Sequence, residues 1–118
     1  GEVANLFMNA GIITITAFVS PFTIDREKVK NIIGSQDFIE IYCAANLDIC
    51  EARDTKGLYK KARSGQIKEF TGISSPYEIP KNPSITIDTG SMNLRDSVQK
   101  IIDYLIENNL LELNSYPD

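Results

Sequence analysis

Six of the chain's twelve basic residues fall between Arg53 and Lys68: Arg53, Lys56, Lys60, Lys61, Arg63 and Lys68, opposed in that window by Asp54 alone. So dense a positive stretch in a chain of net charge −4 makes a local surface that attracts anions. Gly57, Gly65 and Gly72 punctuate it, and Pro76, Pro80 and Pro83 follow. Glycines on both sides of a short basic helix would let it pivot as a lid over a phosphate-bearing substrate. The plainer reading of the same charges is a solvated surface turn. Ser20 is a second candidate. It follows the β-branched run Ile12–Val19 and precedes Pro21, so it stands at a strand end, where ligands bind in open α/β sheets. As a nucleophile it would need a neighbouring base; as a turn former it needs none. Phe70, in Glu-Phe-Thr-Gly, could stack on a purine or anchor its loop to the core.

Some chemistry is excluded outright. The 118 residues contain no histidine, so no imidazole in this chain serves as base, acid or metal ligand. The net negative charge argues against a duplex-DNA binder, whose affinity comes from neutralising phosphates. No apolar run is long enough to cross a bilayer and no secretory signal opens the sequence. With 42% hydrophobic and 24% charged residues, the composition is that of one globular domain. Cys43 and Cys50 have no second pair to complete a zinc site and are expected as reduced, buried thiols. That expectation points to a cytoplasmic protein.

The elements that must position these residues follow from periodicity. Residues 2–10 place Val3, Leu6, Phe7 and Ala10 at helical spacing, with Gly11 suited to a left-handed helix end. Ile12–Val19 predicts a buried strand. Asp25 is expected to cap a helix carrying Val29, Ile32 and Ile33 and closed by Gly34. Phe38–Cys43 predicts a second strand, and Asn46 or Asp48 opens a helix through Ala52. Ile85–Asp88 predicts a third strand; Asn93 then caps a helix over 94–108 with an apolar side of Val98, Ile101, Ile102, Leu105 and Ile106. This alternation implies an α/β domain, a parallel sheet flanked by helices. Three strands make an incomplete version with open edges, so residues 1–118 are expected to be a single domain that is the C-terminal part of a larger one.

Several segments stand in order along the chain: Ala17-Phe-Val-Ser-Pro21, Asp25-Arg26, Phe38-Ile-Glu40, Cys50-Glu-Ala-Arg-Asp54, Lys56-Gly-Leu-Tyr-Lys60, Lys61-Ala-Arg63, Phe70-Thr-Gly-Ile73 and Tyr77-Glu78. Taken together they resemble adenylylsulfate kinases, which phosphorylate adenosine 5′-phosphosulfate. The resemblance covers roughly residues 1–110, and the combination of segments at these spacings carries it rather than any one of them. It implies the kinase fold of P-loop nucleoside-triphosphate hydrolases, incomplete at the N-terminus. The implied reaction transfers the γ-phosphoryl of ATP to the 3′-hydroxyl of adenosine 5′-phosphosulfate with Mg²⁺, a step of sulfate assimilation. Carried over residue by residue, Val19 and Ser20 match the strand-end pair that contacts the sulfonucleotide, the serine being treated in some relatives as a phosphoserine. Lys56 and Phe70 match lid residues that contact the same substrate, within a lid and substrate loop spanning 53–84. Arg53 matches an arginine near the ATP site, and Thr89 and Gly90 fall in the loop beside the ATP adenine. Glu69 departs from the family's small or neutral residue, and a carboxylate there would weaken binding of an anion.

No Gly-x-x-x-x-Gly-Lys-Ser/Thr occurs in these residues. That loop cradles phosphates through backbone N–H groups, and its lysine and hydroxyl serve the γ-phosphate and Mg²⁺. The Mg²⁺ ligands are therefore expected in an N-terminal segment that these residues do not include, and these residues alone are expected to be incompetent. The resemblance also suggests a homodimer. A reading from another class is a non-catalytic sulfonucleotide-binding or dimerisation module using the same basic lid.

Overall fold

Ile85 and Ile87 alternate with Thr86 and Asp88, the period-two pattern of a half-buried strand, and in the computed structural model they are among the most buried side chains of the protein (4% and 2% exposed). The structure describes residues 1–112. In chain order the elements are α1 (Glu2–Asn9), α2 (Thr23–Ile33), β1 (Ile41–Ala44), α3 (Leu47–Ala52), α4 (Leu58–Arg63), β2 (Ile85–Asp88) and α5 (Leu94–Glu107). Strands β1 and β2 pair in parallel, Ile41 opposite Ile85 and Ala44 opposite Asp88. Helix α5 packs on β2, and α1 packs on α2. The parallel sheet flanked by helices is thus present, with two strands rather than three.

The strand expected at Ile12–Val19 does not form. Residues 12–20 carry no strand hydrogen-bonding, and Ile15 (91% exposed) and Phe18 (80%) stand in solvent. A strand is defined by its neighbours, and none lies beside this segment among the described residues. The second strand begins at Ile41 instead of Phe38. On α5 the buried side chain is Ser97, whose hydroxyl donates to the Asn93 carbonyl at 2.7 Å, while Val98 is exposed. Asn93 does cap this helix, its Oδ1 accepting from the Asp96 N–H at 2.9 Å. Helix α2 starts earlier than expected: Phe22 is its N-terminal boundary and Asp25 lies inside the first turn. Its first N–H, that of Thr23, is satisfied by the distant Glu78 Oε2 at 2.7 Å.

Little is buried. Among the described residues only Ala62, Ile85, Ile87 and Ser97 are buried. The radius of gyration is 16.9 Å, against about 13.5 Å for a compact chain of this length. Neither cysteine is buried as expected: Cys43 is exposed and Cys50 half-buried. Residue 43 lies at the edge of a two-stranded sheet whose far side no third strand covers, so its apolar run confers no burial.

Candidate functional site

Two corners of the molecule hold the candidate residues, joined by the loop 69–78. The first lies at the carboxyl ends of β1 and β2. Asp88, the last residue of β2, organises the turn that follows: Oδ1 accepts from the Gly90 N–H at 2.9 Å and Oδ2 from the Ser91 hydroxyl at 2.7 Å. These bonds hold the Asp88 carboxyl below the usual aspartate range. Thr89 is pinned across the sheet, its N–H and hydroxyl both donating to the Ala44 carbonyl, at 2.8 and 2.9 Å. A Cβ on Gly90 would sit 2.9 Å from Ile49 Cδ1 and 3.0 Å from Asp88 Oδ1, so a larger residue in this turn would push the end of the Ile49 side chain on α3 aside. Arg53 ends the same helix, its N–H bonded to the Ile49 carbonyl. Thr89, Gly90 and Arg53 thereby share one neighbourhood built around Ile49.

From Arg53 the chain enters the basic window. Asp54 organises it, Oδ1 accepting from the Leu58 N–H at 2.8 Å and Oδ2 from the Lys60 N–H at 3.0 Å. Desolvation acts to raise the Asp54 pKa, but the backbone donors of Lys60, Tyr59 and Leu58 outweigh it and the pKa is lowered. The stability this cap contributes is therefore full above the ordinary aspartate pKa and lost as pH falls through the lower folded value. An Asp54→Asn variant should melt below the parent at pH 7, with the gap closing at acid pH. A gap of constant size from pH 7 to pH 3 would show that the charge is irrelevant.

Gly57 (φ 65°) and Gly65 (φ 76°) flank α4, both in the left-handed region. The glycine-bounded basic helix expected from the sequence is thus present. Its charge is partly committed, because the Arg63 guanidinium grips both oxygens of Glu51, at 2.5 and 3.3 Å. The bond to Arg63 draws the Glu51 pKa down. Glu51 lies just outside the window, which is why counting charges within 53–68 missed it. Lys56 occupies the turn before Gly57, exposed, and forms no ion pair among the described residues.

Phe70 is half-buried with its ring edge-on to Tyr59 on α4, centroids 5.0 Å apart. The Phe70 carbonyl accepts from the N–H groups of Ile73, Ser74 and Ser75, and its own N–H donates to Ser74 Oγ at 2.9 Å. Glu69 precedes it with φ 55° and is exposed. The loop then passes α3, where Gly72 lies against Leu47. It ends at Tyr77 and Glu78, in the second corner.

That corner holds Val19 and Ser20. They line a cavity with Arg26, Glu40, Tyr42 and Tyr77 among others. Ser20 has φ 41°, uncommon for a residue with a side chain, and its carbonyl accepts from Arg26 Nη1 at 2.6 Å. No base is hydrogen-bonded to its hydroxyl among the described residues, so no neighbour there activates it as a nucleophile. Arg26, Glu40, Tyr77 and Glu78 received no role from the sequence. For Glu40 the available signal is a lone charge inside the apolar stretch Phe38-Ile-Glu40-Ile41; Arg26 sits in the charged run Asp25-Arg-Glu-Lys28 and offers no such signal. Among the described residues no three His, Cys, Asp or Glu side chains lie together as a metal would need.

Comparison with known proteins shows what this chain is similar to. The sequence pattern described as adenylylsulphate kinase matches residues 1–88. An adenylyl-sulfate kinase of Prochlorococcus marinus is 62% identical over 112 residues, spanning 95% of this chain and 56% of that protein. One of Acaryochloris marina is 54% identical over 115 residues, 98% of this chain and 56% of its own length. The chain thus spans about half the length of the curated relatives it matches. Among solved structures, a Mycobacterium tuberculosis APS kinase in complex with AMPPNP and APS superposes with a TM-score of 0.82 at 36% identity, over 88% of this chain and 61% of that one.

Proposed function

The chain belongs to the adenylylsulphate kinase family, and from that premise we propose that it forms the lid, the substrate loop and the adenine side of a kinase acting on adenosine 5′-phosphosulfate. In the proposed reaction the 3′-hydroxyl oxygen of the sulfonucleotide attacks the γ-phosphorus of ATP and its proton is released to solvent. The bond to the β–γ bridging oxygen breaks and ADP leaves, giving 3′-phosphoadenosine 5′-phosphosulfate. Such a transfer passes through a loose transition state that needs alignment and positive charge more than covalent help. Mg²⁺ would neutralise phosphate charge and comes from ligands outside these residues.

The residues divide the work. Lys56 meets the anionic sulfonucleotide from the lid, and Phe70 stacks on its adenine, the Tyr59 contact fixing the ring's tilt. Val19 and Ser20 form the opposite wall. Arg53, Thr89 and Gly90 line the adenine side of the ATP site, on a turn that Asp88 keeps rigid. Closure of the glycine-bounded basic helix would exclude water and strengthen every charge–charge interaction inside. The observation that carries this reading is the loop 69–78, tied to α4 through Phe70–Tyr59 and to the Ser20 corner through Glu78. Movement of the lid is thereby transmitted to the substrate wall. The exposed apolar residues of α1 and 12–19 are those that the rest of a family-length chain would cover. We place the whole protein in the cytoplasm, as a homodimer.

The test is ATP-dependent conversion of adenosine 5′-phosphosulfate by the whole natural polypeptide, followed by separation of the product. Appearance of the 3′-phosphorylated nucleotide is expected. Tight binding of the sulfonucleotide without turnover would leave a binding module instead.

A further inference from the structure

Among the described residues Arg26 has the most hydrogen-bonded and ionic side-chain partners, and neither its motif nor the proposed chemistry gives it a task. It projects from the first turn of α2 with a side chain only 10% exposed. Nη1 donates to the Ser20 carbonyl at 2.6 Å. Nη2 donates to the Glu78 carbonyl at 2.7 Å and to Thr23 Oγ1 at 3.2 Å. Nε lies 3.0 Å from Glu40 Oε1, an ion pair without hydrogen-bond geometry that leaves this buried oxygen otherwise unpartnered. The guanidinium carbon stands 6.0 Å from the Tyr77 ring centroid.

These contacts close a ring of bonds between segments more than fifty residues apart. The Glu78 N–H donates to the Pro21 carbonyl at 2.8 Å, and the Glu78 carboxylate accepts from the Thr23 N–H at 2.7 Å. The Glu78 carbonyl then returns through Arg26 to Ser20. Ser20 sits in a backbone region that persists only when its surroundings hold it there. The bond from Arg26 to its carbonyl is the restraint the structure provides.

We propose that Arg26 is a positioning residue that locks the Ser20 wall and the Tyr77–Glu78 end of the substrate loop into one register, acting through two backbone carbonyls without touching the sulfonucleotide. The proposal rests on the sulfonucleotide reading of that corner. Only a planar fork of donors spans both carbonyls while facing Glu40; a lysine ammonium is a single point of charge. Arg26→Lys therefore keeps the charge and loses the bridge, whereas Glu40→Gln loosens the ion pair and keeps it.

The experiment uses the whole natural polypeptide, with steady-state kinetics for adenosine 5′-phosphosulfate and for ATP, melting temperature, and amide exchange at Thr23 and Glu78. Arg26→Lys should raise KM for the sulfonucleotide about tenfold, leave KM for ATP within twofold, and speed exchange at both amides about tenfold. Glu40→Gln should lower the melting temperature and leave both KM values unchanged. A merely structural arginine would give less active enzyme with unaltered KM values and unaltered local exchange, and that result overturns the proposal. So does an equal rise in both KM values, or a tenfold sulfonucleotide effect in Glu40→Gln, which remains decisive if Arg26→Lys fails to fold. Absence of sulfonucleotide turnover in the parent would defeat the functional reading alone. Exchange at Thr23 and Glu78 would then decide whether Arg26 locks the two segments.

Discussion

A mass-verified preparation of these 118 residues alone is expected to give no ATP-dependent phosphorylation of adenosine 5′-phosphosulfate above background. Two substrates bearing several negative charges must be held within bonding distance, and the protein's contribution is placement and countercharge. The basic window supplies charge on the lid side. Nothing in these residues matches the glycine-rich loop whose N–H groups would hold the triphosphate, and no described carboxylate cluster would hold the metal. Stability works against activity as well. Val3, Leu6, Phe7, Ile12, Ile13, Ile15, Phe18 and Val19 all stand in water, an apolar surface that favours association over a rigid site. Multiple Mg²⁺-dependent turnovers per chain at the mass of these residues would overturn this and place a phosphate cradle where none is visible. Weak binding of the sulfonucleotide without turnover would agree with it.

How much of this was legible in the sequence depended on whether the deciding partner was local. Strand β2 announces itself because Ile85 and Ile87 alternate with polar neighbours, and α5 because the Asn93 Oδ1 accepts from the Asp96 N–H three residues on. The glycine-bounded helix α4 was legible for the same reason: Gly57 and Gly65 adopt the positive φ that few other residues accept. Ile12–Val19 has the best strand composition in the chain and forms none, since hydrogen bonding to a neighbour decides and composition does not. Proximity in sequence points to Asp25 as the cap of α2, whereas a carboxylate 55 residues away satisfies its first N–H. Of the site, the resemblance supplied Val19, Ser20, Arg53, Lys56, Phe70, Thr89 and Gly90 one residue at a time. Their grouping into two corners joined by the loop 69–78 is a tertiary fact. The role of Arg26 is not legible because its two shortest hydrogen bonds go to the Ser20 and Glu78 carbonyls, which carry no sequence signature.

In the whole polypeptide, Lys56→Ala is expected to raise KM for adenosine 5′-phosphosulfate while leaving KM for ATP nearly unchanged. Loss of one charge-assisted contact costs about 1.5–3 kcal/mol, or roughly 10- to 150-fold in affinity. Lys56 is a clean probe because its side chain is exposed in the turn before Gly57 and engages no carboxylate among the described residues. Removing it should therefore leave the melting temperature where it was. Lys60, Lys61 and Lys68 lie in the same window and would remain, so a loss specific to residue 56 separates a placed contact from a general basic surface. Phe70→Ala is the less discriminating change: it also removes the ring contact with Tyr59, costing about 0.5–1.5 kcal/mol beyond burial, so weaker binding and lower stability would arrive together. Raising the ionic strength offers a second readout on Lys56. A solvated lid charge is screened over about 10 Å at 0.1 M salt, so the ratio of variant to parent KM should shrink toward one as salt rises if the lid stays open, and hold if closure buries the contact. A Lys56→Ala enzyme with unaltered KM and kcat at low salt would show that the lysine points away from the substrate and that the basic window is only a solvated turn.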